Sequence, residues 1–174
     1  MSAFKFCPAC AAPLSEQRVE NEERRACSLR CGFVLYDNPT PVVAAVVEHD
    51  GRVVLARNRS WPVPFYGLIS GFLERGETPE RAVLREVEEE LGLKGDSGTL
   101  IGVYAFPEMN QVIIAYHVEA HGTIVLGDEL VDFKRVALPE CRAWPAGTGF
   151  ALRDWLRSRG HEPEMIDISG WKKG

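Results

Sequence analysis

The sequence predicts an α/β protein with a small metal-stapled module at its amino end. Three observations lead there. Apolar β-type runs are interleaved with two stretches of helical period, two close cysteine pairs precede the first long apolar run, and a glycine-flanked acidic helix lies mid-chain. The 174 residues suffice for one ordinary domain plus a small unit. A unit of only about 35 residues needs a staple, because so short a chain buries too little apolar surface.

Taken in order, Cys7-Pro-Ala-Cys10 is followed after sixteen residues by Cys27-Ser-Leu-Arg-Cys31-Gly32. This spacing resembles a zinc ribbon, with Cys7, Cys10, Cys27 and Cys31 around a tetrahedral Zn²⁺. The second pair is C-x3-C rather than the commoner C-x2-C, within the accepted range. Four protein ligands leave no open position for water, so such a site is structural. Two alternatives stand beside it: a pair of disulfides, which an intracellular compartment disfavours, and a degenerate ribbon whose thiols bind no metal. Cys141 reads as an ordinary buried or partly buried thiol.

Residues 1–36 form this module and 37–174 the main domain, with the proline-punctuated Asp37-Asn38-Pro39-Thr40-Pro41 between them. Two strands follow, Val42 to Glu48 and Arg52 to Arg57, joined by a turn at Asp50-Gly51. The loop Asn58 to Ser70 holds Trp61, Pro62, Pro64, Phe65 and Tyr66; its aromatics either line a base-binding pocket or pack. Further strands are expected at Leu100 to Tyr104, Gln111 to Glu119 and Leu130 to Val136. A last helix, Thr148 to Ser158, carries Phe150, Ala151, Trp155 and Leu156 at helical spacing. Residues 160–174 read as a tail.

The central helix is the most informative element. Thr78 is a good N-cap, Pro79 suits the first helical position, and Gly92 supplies a left-handed stop after Leu91. At about 100° per residue, Glu86, Glu89 and Glu90 share one face, with Ala82 among them. Val83, Leu84, Val87 and Leu91 lie on the adjoining face and can pack on a sheet. Glu88 points away and reads as a solvated charge. Three carboxylates that close repel one another unless a cation sits between them, and Mg²⁺ or Mn²⁺ is the natural hard-ligand partner. Arg85 alone could be a surface partner of Glu89 four residues on.

From Gly71 to Leu93 the chain reads G-F-L-E-R-G-E-T-P-E-R-A-V-L-R-E-V-E-E-E-L-G-L. This matches G-x5-E-x7-R-E-U-x-E-E-x-G-U, with U apolar, at Gly71, Glu77, Arg85, Glu86, Val87, Glu89, Glu90, Gly92 and Leu93. Nine constrained positions in 23 residues are hard to reach by chance. The chain resembles a Nudix hydrolase. The resemblance implies an α/β/α sandwich with a mixed sheet between helices. It also implies divalent-metal-dependent cleavage of a nucleoside diphosphate linked to another group. It assigns metal binding to Glu86, Glu89, Glu90 and the Gly71 carbonyl, and makes Arg85, helped by Glu77, the orienter of the carboxylates. The catalytic base of such enzymes comes from the motif itself or from a later loop. Glu108 and Glu129 are the later candidates, and Glu129 precedes a strand as a late acidic residue does in many relatives.

The ribbon and the I-S-G-F-L-E-R-G-E-T segment are similar to the NADH pyrophosphatase branch. That branch carries S-Q-P-W-P-F-P-x-S shortly after the motif, where this chain has V-Y-A-F-P-E-M-N-Q-V-I-I. The layout, including Y-D-N-P before the first strand, is closer to ribbon-bearing members acting on FAD or ADP-ribose. The expected activity is therefore cleavage of a dinucleotide or nucleotide sugar with release of AMP. NADH pyrophosphatase activity and a non-catalytic nucleotide sensor are the alternatives. Sensors usually lose these carboxylates, and this chain keeps them all. Nudix dinucleotide hydrolases are often homodimers, which leaves a dimer open.

Hydrophobic content of 45%, charged content of 26% and a net charge of −5 fit a soluble globular protein and argue against a broad nucleic-acid-binding surface. The run Val42 to Val47 is far too short to span a membrane. Together with the absence of a leader-like start, this gives a cytoplasmic expectation. The four histidines have no metal-ligand partners at useful spacing and read as surface or structural groups.

Overall fold

A computed structural model describes residues 4–61 and 65–168. The chain divides into two compact units, Met1–Pro39 and Thr40–Gly174. In the first, β1 (Leu14–Val19), β2 (Glu22–Cys27) and β3 (Val34–Leu35) form a three-stranded antiparallel sheet. Glu20 and Asn21, both at positive φ, make the tight turn between β1 and β2. Its core is small: Cys7, Ala12, Leu14 and Cys27, flanked by Phe33 and Leu35.

In the second unit the long strand β4 (Thr40–His49) organises the sheet. It pairs parallel with β9 (Gln111–His121) along one edge. Its other edge is shared. The first half takes β6 (Ile69–Phe72), and the second half takes β5 (Arg52–Asn58), both antiparallel. Strand β10 (Leu130–Ala137) pairs with β5, while β8 (Thr99–Phe106) and the short β7 (Lys94–Gly95) pair with β9. The result is a mixed seven-stranded sheet among the described residues. The β4–β5 hairpin turns at Asp50-Gly51, both at positive φ, where the sequence predicts it.

The buried residues of β4 alternate between two cores, which is why this strand reads as a continuous apolar run. Val43, Ala45 and Val47 face α1 (Pro79–Leu91), packing with Ala82, Val83, Val87 and Leu91. Val42, Ala44 and Val46 face α2 (Gly149–Ser158) and its Ala151, Leu152, Trp155 and Leu156. The sheet is thus covered by a helix on each face, the expected sandwich. The described part of the tail adds Ile166 and Ile168 to the α2-side core, and Ile166 N–H donates to the Ala143 carbonyl at 2.8 Å. Residues 169–174 lie outside the described residues.

One element differs from the sequence expectation, and the role of the loop aromatics, which the sequence left open between packing and pocket lining, is packing. Ile69 and Ser70 begin strand β6 rather than ending a loop, because their partners Ala45 and Ala44 offer β4 a free edge there. The three loop aromatics are packed. Trp61 lies 5.5 Å from Phe65, centroid to centroid, and Phe65 meets Trp144 edge-on at 4.9 Å. Tyr66 donates its hydroxyl to Asp132 under the ammonium of Lys134. Pro62 and Pro64 lie outside the described residues.

Leu91 is fully buried between α1 and the sheet. Leu91→Ala should cost about 2–5 kcal/mol through lost transfer energy and the cavity left behind. Urea denaturation followed by tryptophan fluorescence checks this; an unchanged midpoint would contradict the packing of α1.

Candidate active site

The motif helix is held at both ends as its sequence predicts. Thr78 Oγ1 accepts from Arg81 N–H at 3.3 Å, and Gly92 (φ 66°) closes the helix with its N–H on the Glu88 carbonyl. This fixes which face meets the sheet. Ala82 is fully buried against the core, and Glu86, one turn on, is 9% exposed. Glu86 can lie so deep because its neighbour on β6 is Gly71. A Cβ at Gly71 would stand 2.0 Å from Cδ of Glu86. Strand and helix therefore meet with a carboxylate against bare backbone, the arrangement that lets a backbone carbonyl and a carboxylate approach one ion.

Arg85 ties the motif together. Its Nε and Nη2 donate to the two oxygens of Glu77 at 2.9 and 3.0 Å, a bidentate fork. Its Nη1 donates to Glu86 at 2.7 Å and Glu89 at 3.0 Å, and Nη2 also reaches the Phe72 carbonyl on β6 at 3.2 Å. Glu77 is thereby lowered and Arg85 raised in pKa, each chiefly through their shared hydrogen bonds. Glu77 in turn accepts from the Glu74 N–H at 3.2 Å, which pins the loop between β6 and α1.

The remaining carboxylates are crowded. Glu90 is pushed up to about 8, first by burial and then by the charges of Glu86, Glu129 and Glu89. Burial likewise raises Glu86, against the opposing pull of Arg85. Glu129 enters this field from the segment between β9 and β10. That segment is strapped to the end of α1: Val125 N–H donates to the Leu91 carbonyl at 2.8 Å and Gly127 N–H to the Glu90 carbonyl at 2.9 Å. Glu108 sits instead in a single 3₁₀ turn between β8 and β9 and does not enter the causes of either shift. The structure thus brings Gly71, Glu77, Arg85, Glu86, Glu89, Glu90 and Glu129 together. A residue the sequence reading passed over, Asn58 at the end of β5, donates to Glu129 at 3.4 Å. Its only sequence signal was its place beside a predicted strand end.

A divalent ion fits this set chemically: hard oxygen donors, like charges in need of compensation, and a glycine where close approach is required. Ligand atoms gathered within 4.8 Å of one another occur, among the described residues, at the cysteines. Glu86 and Glu89 are instead gathered on one nitrogen of Arg85, at 2.7 and 3.0 Å. The four sulfurs fit one tetrahedral ion. Cys7 and Cys31 sulfurs are 3.5 Å apart, and those of Cys10 and Cys27 are 3.4 Å apart. Metal–sulfur bonds of about 2.3 Å imply edges of about 3.8 Å. None of the four is in a disulfide.

Two of the four histidines have defined partners within the fold. His49 donates from Nε2 to the Gly122 carbonyl at 3.0 Å, while His117 pairs with Glu48 at 3.0 Å and stacks on Trp155. Among the described residues, no helix is long and apolar enough to cross a membrane.

The NUDIX domain family model matches residues 38–156. The chain belongs to the Nudix family. Among curated proteins it is similar to the NAD-capped RNA hydrolase NudC of Pseudomonas putida, 29% identical over 149 residues, covering 84% of this chain and 53% of that protein. The NudC of Pseudomonas aeruginosa is 30% identical, covering 84% of this chain and 52% of that one. The chain spans about half the length of these curated relatives. Among solved structures, a NUDIX hydrolase from Nitrosomonas europaea shares the fold, with a TM-score of 0.77 at 24% identity over 94% of this chain and 97% of its own. A MutT NUDIX hydrolase from Burkholderia pseudomallei matches at TM-score 0.55 and 28% identity, over 67% of this Nudix chain and 98% of its own.

Gly71→Ala should lower stability by about 1–3 kcal/mol, the usual cost of overpacking, and displace the Glu86 carboxylate. A thermal melt and a crystal structure of the variant check both; an unchanged melting temperature would mean that the contact is looser than described.

Proposed function

We propose that this chain is a divalent-metal-dependent pyrophosphohydrolase acting on a nucleoside diphosphate linked to another group. The observation that carries the reading is the convergence of Glu86, Glu89, Glu90 and Glu129 around a glycine-lined contact, with Arg85 the bridging cation. When bound, Mg²⁺ or Mn²⁺ supplies neutralisation of the pyrophosphate charge and an acidified water. Glu86, Glu89, Glu90 and the Gly71 carbonyl would hold that ion. Arg85, locked by the fork on Glu77, keeps Glu86 and Glu89 from swinging away. Glu129 takes the proton of the attacking water, because it reaches the cluster from a separate loop.

The substrate we favour is a dinucleotide or nucleotide sugar such as FAD or ADP-ribose, cleaved to release AMP. The missing S-Q-P-W-P-F-P-x-S segment ranks these ahead of NADH, and the names of the curated relatives keep an NAD-type substrate as the second reading. The packed state of Trp61, Phe65 and Tyr66 means that those rings lend the choice little support. A panel of FAD, ADP-ribose, NADH, NAD⁺, diadenosine polyphosphates and nucleoside triphosphates, compared by kcat/KM with products identified, tests the class. Preference for a triphosphate with release of pyrophosphate would sink the dinucleotide reading. Glu89→Gln and Glu90→Gln should each lose orders of magnitude in kcat with the fold intact, since each removes a charge that the ion requires. Near wild-type turnover of Glu89→Gln at saturating Mg²⁺ would overturn the assignment.

We also propose a structural Zn²⁺ on Cys7, Cys10, Cys27 and Cys31, in a ribbon of residues 1–36. Chelation should unfold this unit while leaving the larger one folded, because metal binding supplies the folding free energy of so small a core. Metal analysis showing no zinc in protein purified without chelator would refute this.

A further inference from the structure

Glu129 is exposed and lies on a connecting segment, yet its neighbours hold it from two sides. On one side the strap between β9 and β10 lies on the last turn of α1 through the two hydrogen bonds already described. A Cβ at Gly127 would come within 2.5 Å of the Glu89 carbonyl oxygen, so the approach depends on glycine. On the other side Arg59 N–H donates to the Glu129 carbonyl at 2.8 Å, and Asn58 stands opposite Leu130 in the β5–β10 ladder. A register shift between Leu130 and Asp132 follows at once. Bulges of this kind re-aim neighbouring side chains.

Asn58 is itself immobilised. Its Oδ1 accepts from the Ser60 N–H at 2.8 Å and from Ser60 Oγ at 2.7 Å. With the oxygen so engaged, the amide orientation is fixed and Nδ2 is left to donate to Glu129 Oε2 at 3.4 Å. We infer that Asn58, held by Ser60, is the positioning residue that aims the Glu129 carboxylate at the cluster of Glu86 and Glu90. The inference rests on the reading of Glu129 as the proton acceptor. Its content is separate: the donor that holds this acidic group comes from the end of β5, outside the motif and 71 residues from Glu129 in sequence.

Asn58→Asp separates this role from a merely structural one. The new side chain keeps the shape and the acceptor for Ser60, but replaces the donor facing Glu129 with a like charge. On ADP-ribose and FAD with Mg²⁺, Asn58→Ala and Asn58→Asp should each lower kcat by about tenfold or more, the usual cost of removing a supporting partner. KM and the melting temperature should stay near wild type, with Asn58→Asp the worse variant. In a Glu129→Gln background neither substitution should lower kcat further. A crystal structure of Asn58→Asp should show the Glu129 carboxylate turned away from residue 58, a readout independent of turnover. Glu129→Gln at wild-type rate would remove the proton-acceptor reading itself. A slow Glu129→Gln together with a fully active Asn58→Asp, equal losses in both backgrounds, or an unmoved Glu129 carboxylate would overturn the positioning role alone.

Discussion

A carboxylate held almost out of water constrains everything around it. Glu86 is buried at the contact of α1 with β6, where an unpaired charge would cost several kcal/mol. Three features make the position tolerable. Gly71 presents no side chain, Arg85 donates to the carboxylate at 2.7 Å, and the helix caps at Thr78 and Gly92 fix the helix start and stop. Removing any of them leaves a charge without compensation or a strand without room to pair. The register of β6 on β4 follows from the same contact, since a slip of one residue would put Ser70 or Phe72 against Glu86.

The surrounding acids make the site a store of repulsion. Glu89 is tethered by Arg85, while Glu90, raised by its burial and by the charges of Glu86, Glu129 and Glu89, reaches about 8. Glu129 adds its charge from a segment that the backbone of α1 itself clamps. A folded protein that accumulates like charges in one place needs a cation or a proton there, and this is the physical link from the helix pattern to the proposed pyrophosphate chemistry. The aromatic loop before β6 takes no part in that balance. Trp61 packs on Phe65, and Phe65 packs edge-on against Trp144 in the α2-side core.

The amino-terminal unit obeys a different constraint. Its sheet has three short strands, and two of the four buried residues of its core are cysteines of the cluster. The Cys31 backbone amide is the main cause that pulls Cys27 down to about 6. Cys10 is pushed up to about 12: the Ala12 amide lowers it, but the Cys27 sulfur, burial and the other two thiols outweigh that pull. Thiols so close cannot all ionise by themselves, the same problem as that of the glutamates, met here by a softer ligand set.

Much of the fold was legible in the sequence because its determinants are local. Helical spacing set Glu86, Glu89 and Glu90 on one face, Thr78 and Gly92 bounded the helix, Asp50-Gly51 marked the hairpin, and cysteine spacing marked the four-sulfur cluster. The motif from Gly71 to Leu93 made the family recognisable for the same reason: its fixed positions lie within one strand end, one turn and one helix. What the chain pattern could not express was long-range. Strand β6 exists because β4 has a free edge to share, Phe65 packs edge-on against Trp144 across the fold, and the segment that carries Glu129 is strapped to the end of α1 by backbone hydrogen bonds from Val125 and Gly127. Asn58 was invisible in sequence, since its partner is 71 residues away and only the β5–β10 pairing makes them neighbours.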